Sequence, residues 1–160
     1  MPDGWKAGEG GGREDDRRGE TSTRILVVDD EPCILRFFSA IFPLPGYLVA
    51  VAADDKLALQ LTETQVFDLA FVDYFLGEVN GAEVAQKLRD LQPELKIVLM
   101  SGYVVNDRAA ELEVAGASAF LTKPFSVEAA QHVVARLLHG IEHKLPSSMN
   151  ADSIFPISHA

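Results

Sequence analysis

Five short apolar runs, RILVV, YLVAVA, DLAFV, KIVLM and AFL, recur along the chain, each followed by a longer amphipathic stretch. Near-continuous runs of this length suit strands covered on both faces rather than strands with one wet face. The stretches between them carry helix boundaries. CILRFFSAIF stops at Pro43 and Pro45, with Gly46 following. DKLALQLTETQ has Asp54 and Asp55 as candidate N-caps. AEVAQKLRDLQ follows Asn80 and Glu83, which have capping-box-like spacing, and ends before Pro93. RAAELEVAG ends at Gly116, and SVEAAQHVVARLLHG begins on Ser126 and ends near Gly140. Five βα units in succession imply an α/β fold, a doubly wound five-stranded parallel sheet with helices on both faces.

The flanks read differently. Residues 1–23 are rich in glycine and mixed charge and hold the sole tryptophan, Trp5. Such composition buries too little surface to offset chain entropy, so a flexible arm is expected there. The REDDRR run within it is charge-balanced and solubilising. The folded domain is expected over 24–144. Residues 145–160 are interrupted by two prolines and are expected to form a loose tail, with docking of Ile154, Phe155 and Ile157 on the domain or on a partner as the alternative.

Charge and cysteine usage narrow the function classes. A formal net charge of −10 opposes direct nucleic-acid binding, which needs a basic face. One cysteine, Cys33, permits no intramolecular disulfide and fits a reducing compartment. No apolar run approaches the ~20 residues of a membrane span, and the N-terminus has no apolar signal core. The expectation is a cytoplasmic protein without membrane insertion.

In a doubly wound sheet, function gathers at the carboxyl ends of the strands. The first strand here runs into Asp29 and Asp30, where burial and mutual repulsion both cost free energy. The third ends on Asp73, the fourth on Ser101 and the fifth on Lys123, followed by Pro124. Three carboxylates, a hydroxyl and an ammonium would then meet at one rim. A hard, oxygen-rich site of that kind suits Mg²⁺ and a phosphoryl group. Taken singly, Asp29 and Asp30 also fit a solvated turn and helix cap, and Ser101 and Lys123 fit ordinary loop residues.

With VVDDEP, the Asp73 closing AFVD, Gly81 eight residues later, MSGY and GASAFLTKPF, the sequence resembles the receiver domain of two-component response regulators, of the stand-alone chemotaxis-receiver kind, over about Ile25 to His139. The resemblance implies a flavodoxin-like (βα)5 fold with strand order 2-1-3-4-5. It implies Asp73 as phosphoacceptor, Asp29, Asp30, Asp73 and the Phe75 backbone carbonyl around Mg²⁺, and Ser101 with Lys123 holding the phosphate. Phe120 takes the place of the aromatic switch beside Ser101. Phe75 and Tyr103 flank the approach to the site, and a cis Lys123–Pro124 bond turns the lysine inward. A histidine kinase or phosphotransfer protein would supply the phosphoryl group in a phosphorelay. A separate downstream protein, or self-association, would read the result, because no chain is left for an attached output domain. Such a receiver is no enzyme beyond its own phosphorylation and dephosphorylation. Two departures bear on switching: Gly77 stands where the family usually has proline, suggesting a more mobile loop, and Phe120 lacks the hydroxyl of the frequent tyrosine. Phe120 is equally explicable as core filler.

Other readings compete. A phosphorylation-independent receiver-like interaction module would keep the fold and the acids and signal by binding alone. A haloacid-dehalogenase-like phosphatase wants an acid two residues after its nucleophile, where Phe75 stands. A flavodoxin proper needs a hydroxyl- and glycine-rich phosphate loop, whereas DDEPC is acidic. Cys33 reads as a small buried hydrophobe. His139, Glu142 and His143 have metal-like spacing with no further ligand evident, so a solvated helix end is expected.

Overall fold

A computed structural model of the 160-residue chain describes residues 22–102 and 116–140, together with the backbone of Ile154–Pro156. Trp5, Tyr103, Glu142, His143 and nearly all of the helix expected over 108–116 lie outside the described residues.

The strands are β1 Thr23–Val28, β2 Tyr47–Ala52, β3 Leu69–Asp73, β4 Phe75–Leu76, β5 Val79–Asn80, β6 Lys96–Ser101, β7 Ala119–Thr122 and β8 Ile154–Pro156. The helices are α1 Pro32–Ile41, α2 Asp55–Thr64, α3 Gly81–Leu91 and α4 Val127–His139. The main sheet runs β2-β1-β3-β6-β7-β8. Its first five members are parallel, the expected 2-1-3-4-5 order once the short β4–β5 hairpin is set aside. β1 opens at Thr23, the last residue of the expected arm, which pairs with Tyr47.

Side chains of successive strand residues alternate between two cores. Leu26, Val28, Ala70, Val72, Ile97, Leu99 and Phe120 face α2 and α3, meeting Ala58, Val84, Ala85 and Leu88. Ile25, Val27, Leu69, Phe71, Val98, Met100 and Leu121 face α1 and α4, meeting Phe38, Ala130, Val133 and Val134. The Phe38 and Phe71 rings lie 4.4 Å apart at the centre of that second layer. Burying each such ring contributes about 1.5–3 kcal/mol. Because both faces are covered, β3 is buried at all five positions, as its apolar run requires.

Helix starts follow their caps. Asp54 accepts from the Leu57 N–H at 2.8 Å, Asn80 from Ala82 at 2.8 Å and Ser126 from Ala129 at 3.1 Å. α4 ends on Gly140 at φ 62°, and its exposed His139 is a solvated helix end, as expected. Gln92, next after α3, ties three segments together. Its side-chain N–H groups donate to the Thr62 and Gln65 carbonyls, and its oxygen accepts from Phe67 N–H at 2.9 Å. No helix among the described residues is long and apolar enough to cross a membrane.

Two expectations are corrected. Cys33 is exposed rather than buried, because it lies on the outer side of α1 beside Glu31, away from Phe38. Part of the C-terminal tail is no loose end: Ile154–Pro156 pairs antiparallel with β7, in line with the alternative of docking on the domain for Ile154 and Phe155, and gives the sheet a sixth strand.

Candidate functional site

The register brings the strand ends into one row. Val28 pairs with Val72, which sets Asp29 beside Asp73; Asp73 pairs with Met100; Ser101 pairs with Thr122, one residue before Lys123. Among the described residues four polar or charged side chains are buried, Asp29, Thr62, Asp73 and Ser101, and three of them are at this rim. Thr62 is accounted for by its bond to the Ala58 carbonyl. Burial of so much polar chemistry in one place marks the rim as the candidate site.

Lys123 holds the acids together. Its Nζ lies 2.7 Å from Asp29 Oδ2, 3.3 Å from Asp73 Oδ2 and 3.5 Å from Glu31 Oε1. The Lys123 N–H donates to the Ser101 carbonyl at 2.8 Å, fixing where the side chain leaves the sheet. The Lys123–Pro124 bond is cis, as the resemblance implied. Backbone donors serve the remaining oxygens: Glu31 N–H reaches Asp29 Oδ1 at 2.9 Å, and Phe75 N–H reaches Asp73 Oδ1 at 3.2 Å.

Burial, and then the nearby charge of Asp29, raise the Asp73 carboxyl above its ordinary value; Lys123 and the Phe75 N–H oppose them in part. For Lys123, burial alone would favour the neutral amine. The hydrogen bond and charge of Asp29, with those of Asp73, outweigh it and raise the ammonium pKa.

Asp29, Asp30 and Asp73 each offer a carboxylate oxygen, and all three oxygens lie within 4.8 Å of one another. A hard divalent cation with bonds near ~2.1 Å spans about 4 Å between opposite ligands, so small side-chain rotations would close the set around one. Asp30 is exposed and open to solvent, as a cation keeping several waters needs.

Gly81 explains how Asp73 is held. A Cβ on Gly81 would run into the Asp73 carbonyl and lie 2.8 Å from Tyr74 Cα. The Gly81 N–H donates to the Tyr74 carbonyl at 2.7 Å, so the start of α3 is drawn tightly under the end of β3. Between them Phe75 pairs with Asn80 and Leu76 with Val79, in a hairpin turning on Gly77–Glu78. Gly77 has φ 59°, a value closed to proline, so the departure from the family's usual proline follows from this turn.

Phe120 is buried in the same core cluster as Leu99 and Ala117, and Phe75 is 44% exposed beside the acids. The Glu31 contact to Lys123 went unforeseen. A glutamate two residues after the first buried aspartate, turned back by the start of α1, was the available signal.

The sequence pattern of the response regulator receiver domain matches residues 25–135. The alginate biosynthesis transcriptional regulatory protein AlgB of Pseudomonas aeruginosa is 39% identical over 119 residues, which are 74% of this chain and 26% of AlgB. The chain thus spans about a quarter of that relative's length. Among solved structures, a CheY-like response regulator receiver domain protein from Methanospirillum hungatei JF-1 superposes with a TM-score of 0.67 at 30% identity, covering 73% of this chain and 94% of that one. A response regulator from Burkholderia pseudomallei, solved with a phosphorylated aspartic acid, calcium ion and citrate, gives a TM-score of 0.66 at 28% identity, covering 74% and 68%. With the matching pattern extending over most of the folded chain, this protein belongs to the response regulator receiver domain family.

Proposed function

We propose that Asp73 accepts a phosphoryl group from a histidine kinase or phosphotransfer protein in a Mg²⁺-dependent reaction, and that the acyl phosphate signals to a separate partner or through self-association. The observation that carries this reading is the buried Asp73 carboxylate beside both the Lys123 ammonium and two further acids. The phosphorylated aspartic acid in the Burkholderia relative supports it.

An oxygen of ionised Asp73 attacks the phosphorus of a phosphohistidine as the P–N bond breaks; the imidazole keeps the electron pair and takes up a proton. Lys123 moves its hydrogen bonds from Asp29 and Asp73 to a phosphoryl oxygen, and Ser101 donates to another. The Phe75 N–H steadies the acceptor carboxylate throughout. Asp29, Asp30, Asp73 and the Phe75 carbonyl are the groups that would hold Mg²⁺, whose contribution is to neutralise charge during transfer. The stored group biases a two-state surface, in which Phe120 and Ser101 are the switching pair.

Incubation with acetyl phosphate and Mg²⁺, followed by intact mass, tests the proposal. One phosphoryl addition is expected in the parent and none in Asp73→Asn or without Mg²⁺. Equal labelling of Asp73→Asn would sink the assignment. Absence of labelling in the parent would favour the phosphorylation-independent module.

A further inference from the structure

β8 is the feature that the receiver function leaves unexplained. Ile154–Pro156 lies antiparallel on the outer side of β7, with Ala119 opposite Pro156, Phe120 opposite Phe155 and Leu121 opposite Ile154. An outermost strand with nothing beside it offers a row of backbone donors and acceptors to any extended peptide. Here the chain fills that row with its own C-terminal segment. The described filling is three residues, Ile154–Pro156, and Pro156 has no N–H to give.

The strand so covered leads directly to the site. β7 ends at Thr122, and Lys123 follows, its N–H bonded to the Ser101 carbonyl and its ammonium to Asp29. The residue opposite Phe155 is Phe120, whose side chain is packed in the core beside Leu99. Pairing with β8 is thus present in the same arrangement in which Lys123 rests on Asp29.

The geometry points to Ile154–Pro156 as a displaceable strand ligand, carried in the same chain, that occupies the strand-addition edge of β7 and opposes the re-pairing of Lys123 at the carboxylate rim. The edge is thereby withheld from outside strands until the segment leaves. The linkage is reciprocal: whatever loosens β8 eases re-pairing of Lys123, and whatever engages Lys123 loosens β8 by the same factor. This linkage rests on the phosphoacceptor reading; the seating of the strand does not.

The full-length chain carrying Ile154→Pro with Phe155→Pro tests both parts, since it strips the remaining N–H groups from β8. Hydrogen exchange read by mass spectrometry should be at least tenfold faster over residues 119–121 in the variant, with β1 and β3 unchanged. Equal exchange at 119–121 would overturn the seating. Beryllofluoride with Mg²⁺, a phosphoryl mimic, should bind the variant several-fold more tightly than the parent and should speed exchange at 119–121 in the parent. Equal affinity would overturn the linkage while leaving the phosphoacceptor reading intact. Absence of beryllofluoride binding to either chain would overturn the linkage together with that reading, and the exchange comparison would still judge the seat.

Discussion

Lys123 and Asp29 are separated by 94 positions in sequence and by 2.7 Å at the rim, where the lysine ammonium meets a carboxylate with no solvent exposure. The pair joins the ends of the first and last parallel strands in chain order, β1 and β7, across β3 and β6. Removing either partner therefore has a different cost from removing both. Lys123→Ala strands the Asp29 charge, and a loss of about 3–5 kcal/mol is expected for breaking such a buried pair. The Glu31 N–H still serves Asp29 Oδ1, which favours the lower end. Urea unfolding of a double-mutant cycle should show Asp29→Asn with Lys123→Ala more stable than Lys123→Ala alone. The raised lysine pKa places this contribution fully below pH 10.5 and removes it only as pH rises through the folded value, so it is constant near neutrality.

Asp73 has the opposite sign of effect. Its carboxyl holds a proton more tightly in the folded chain than in the unfolded one, because of burial first and Asp29 second. The folded state is thus penalised as pH rises from 3.8 through the raised value. Asp73→Asn should have a higher Tm than the parent at pH 7, and the difference should close as pH falls toward 3.8. A variant less stable than the parent at pH 7 would show that the Lys123 bond outweighs the repulsion.

Mg²⁺ should stabilise the fold by linkage, since the unfolded chain has no assembled acids. At ten times Kd the gain would be roughly 1.4 kcal/mol, read as a rise in Tm. Asp30 is exposed, and the ion pairs of Lys123 run to Asp29, Glu31 and Asp73 instead. Asp30→Asn should accordingly leave the metal-free stability within about 0.5 kcal/mol of the parent while weakening the Mg²⁺ response. An undiminished response would remove Asp30 from the ligand set.

Gly81 and Gly77 separate two uses of glycine. Gly81→Ala puts a methyl against the Asp73 and Tyr74 backbone, which cannot rotate away. The expected cost is about 1–3 kcal/mol, with phosphorylation of Asp73 slowed by tenfold or more as the acceptor is displaced. Gly77→Ala meets open space and suffers only its φ of 59°, so about 1–2 kcal/mol is expected with the labelling rate retained. Equal labelling rates in the two variants would contradict the role given to Gly81.

Why the rim was legible in sequence and other features were not follows from range. Asp29, Asp73, Ser101 and Lys123 each close an apolar run, and the parallel order sends every run's end to the same edge. The caps Asp54, Asn80 and Ser126 were legible because their bonds span two or three residues. The side chain of Gln92 reaches Thr62 and Gln65, about thirty positions away, and no local pattern announces it. Gly77 suggested a mobile loop by comparison with proline, but its positive φ belongs to a hairpin that only two-residue strands define. Cys33 was assigned to the interior from residue type, although the face of α1 is set by Phe38 and Phe42. The β8 pairing was the hardest to see: three residues beyond a proline-interrupted stretch carry too short a pattern to distinguish a strand from a tail.

Phe75 bears on how long a phosphoryl group would persist. Hydrolysis of an aspartyl phosphate needs a water in line with the breaking P–O bond, opposite the aspartate oxygen. The Phe75 backbone is anchored to Asp73 Oδ1, and its ring stands edge-on to Tyr74 with centroids 4.9 Å apart. An apolar ring beside the acceptor offers a water neither a hydrogen-bond donor nor an acceptor, both of which an amide would. Phe75→Asn keeps the backbone bond and so the orientation of Asp73, while replacing the ring by a polar group able to hold the water. Loss of phosphate should accelerate about tenfold, equivalent to ~1.4 kcal/mol in the barrier. Phe75→Leu separates size from polarity: it should retain most of the parent lifetime, because leucine holds no water. Phosphate lifetimes followed by intact mass after removal of the donor give the comparison. If Phe75→Leu decays as fast as Phe75→Asn, ring volume rather than polarity shields the site; if neither differs from the parent, Phe75 does not control the approach of water.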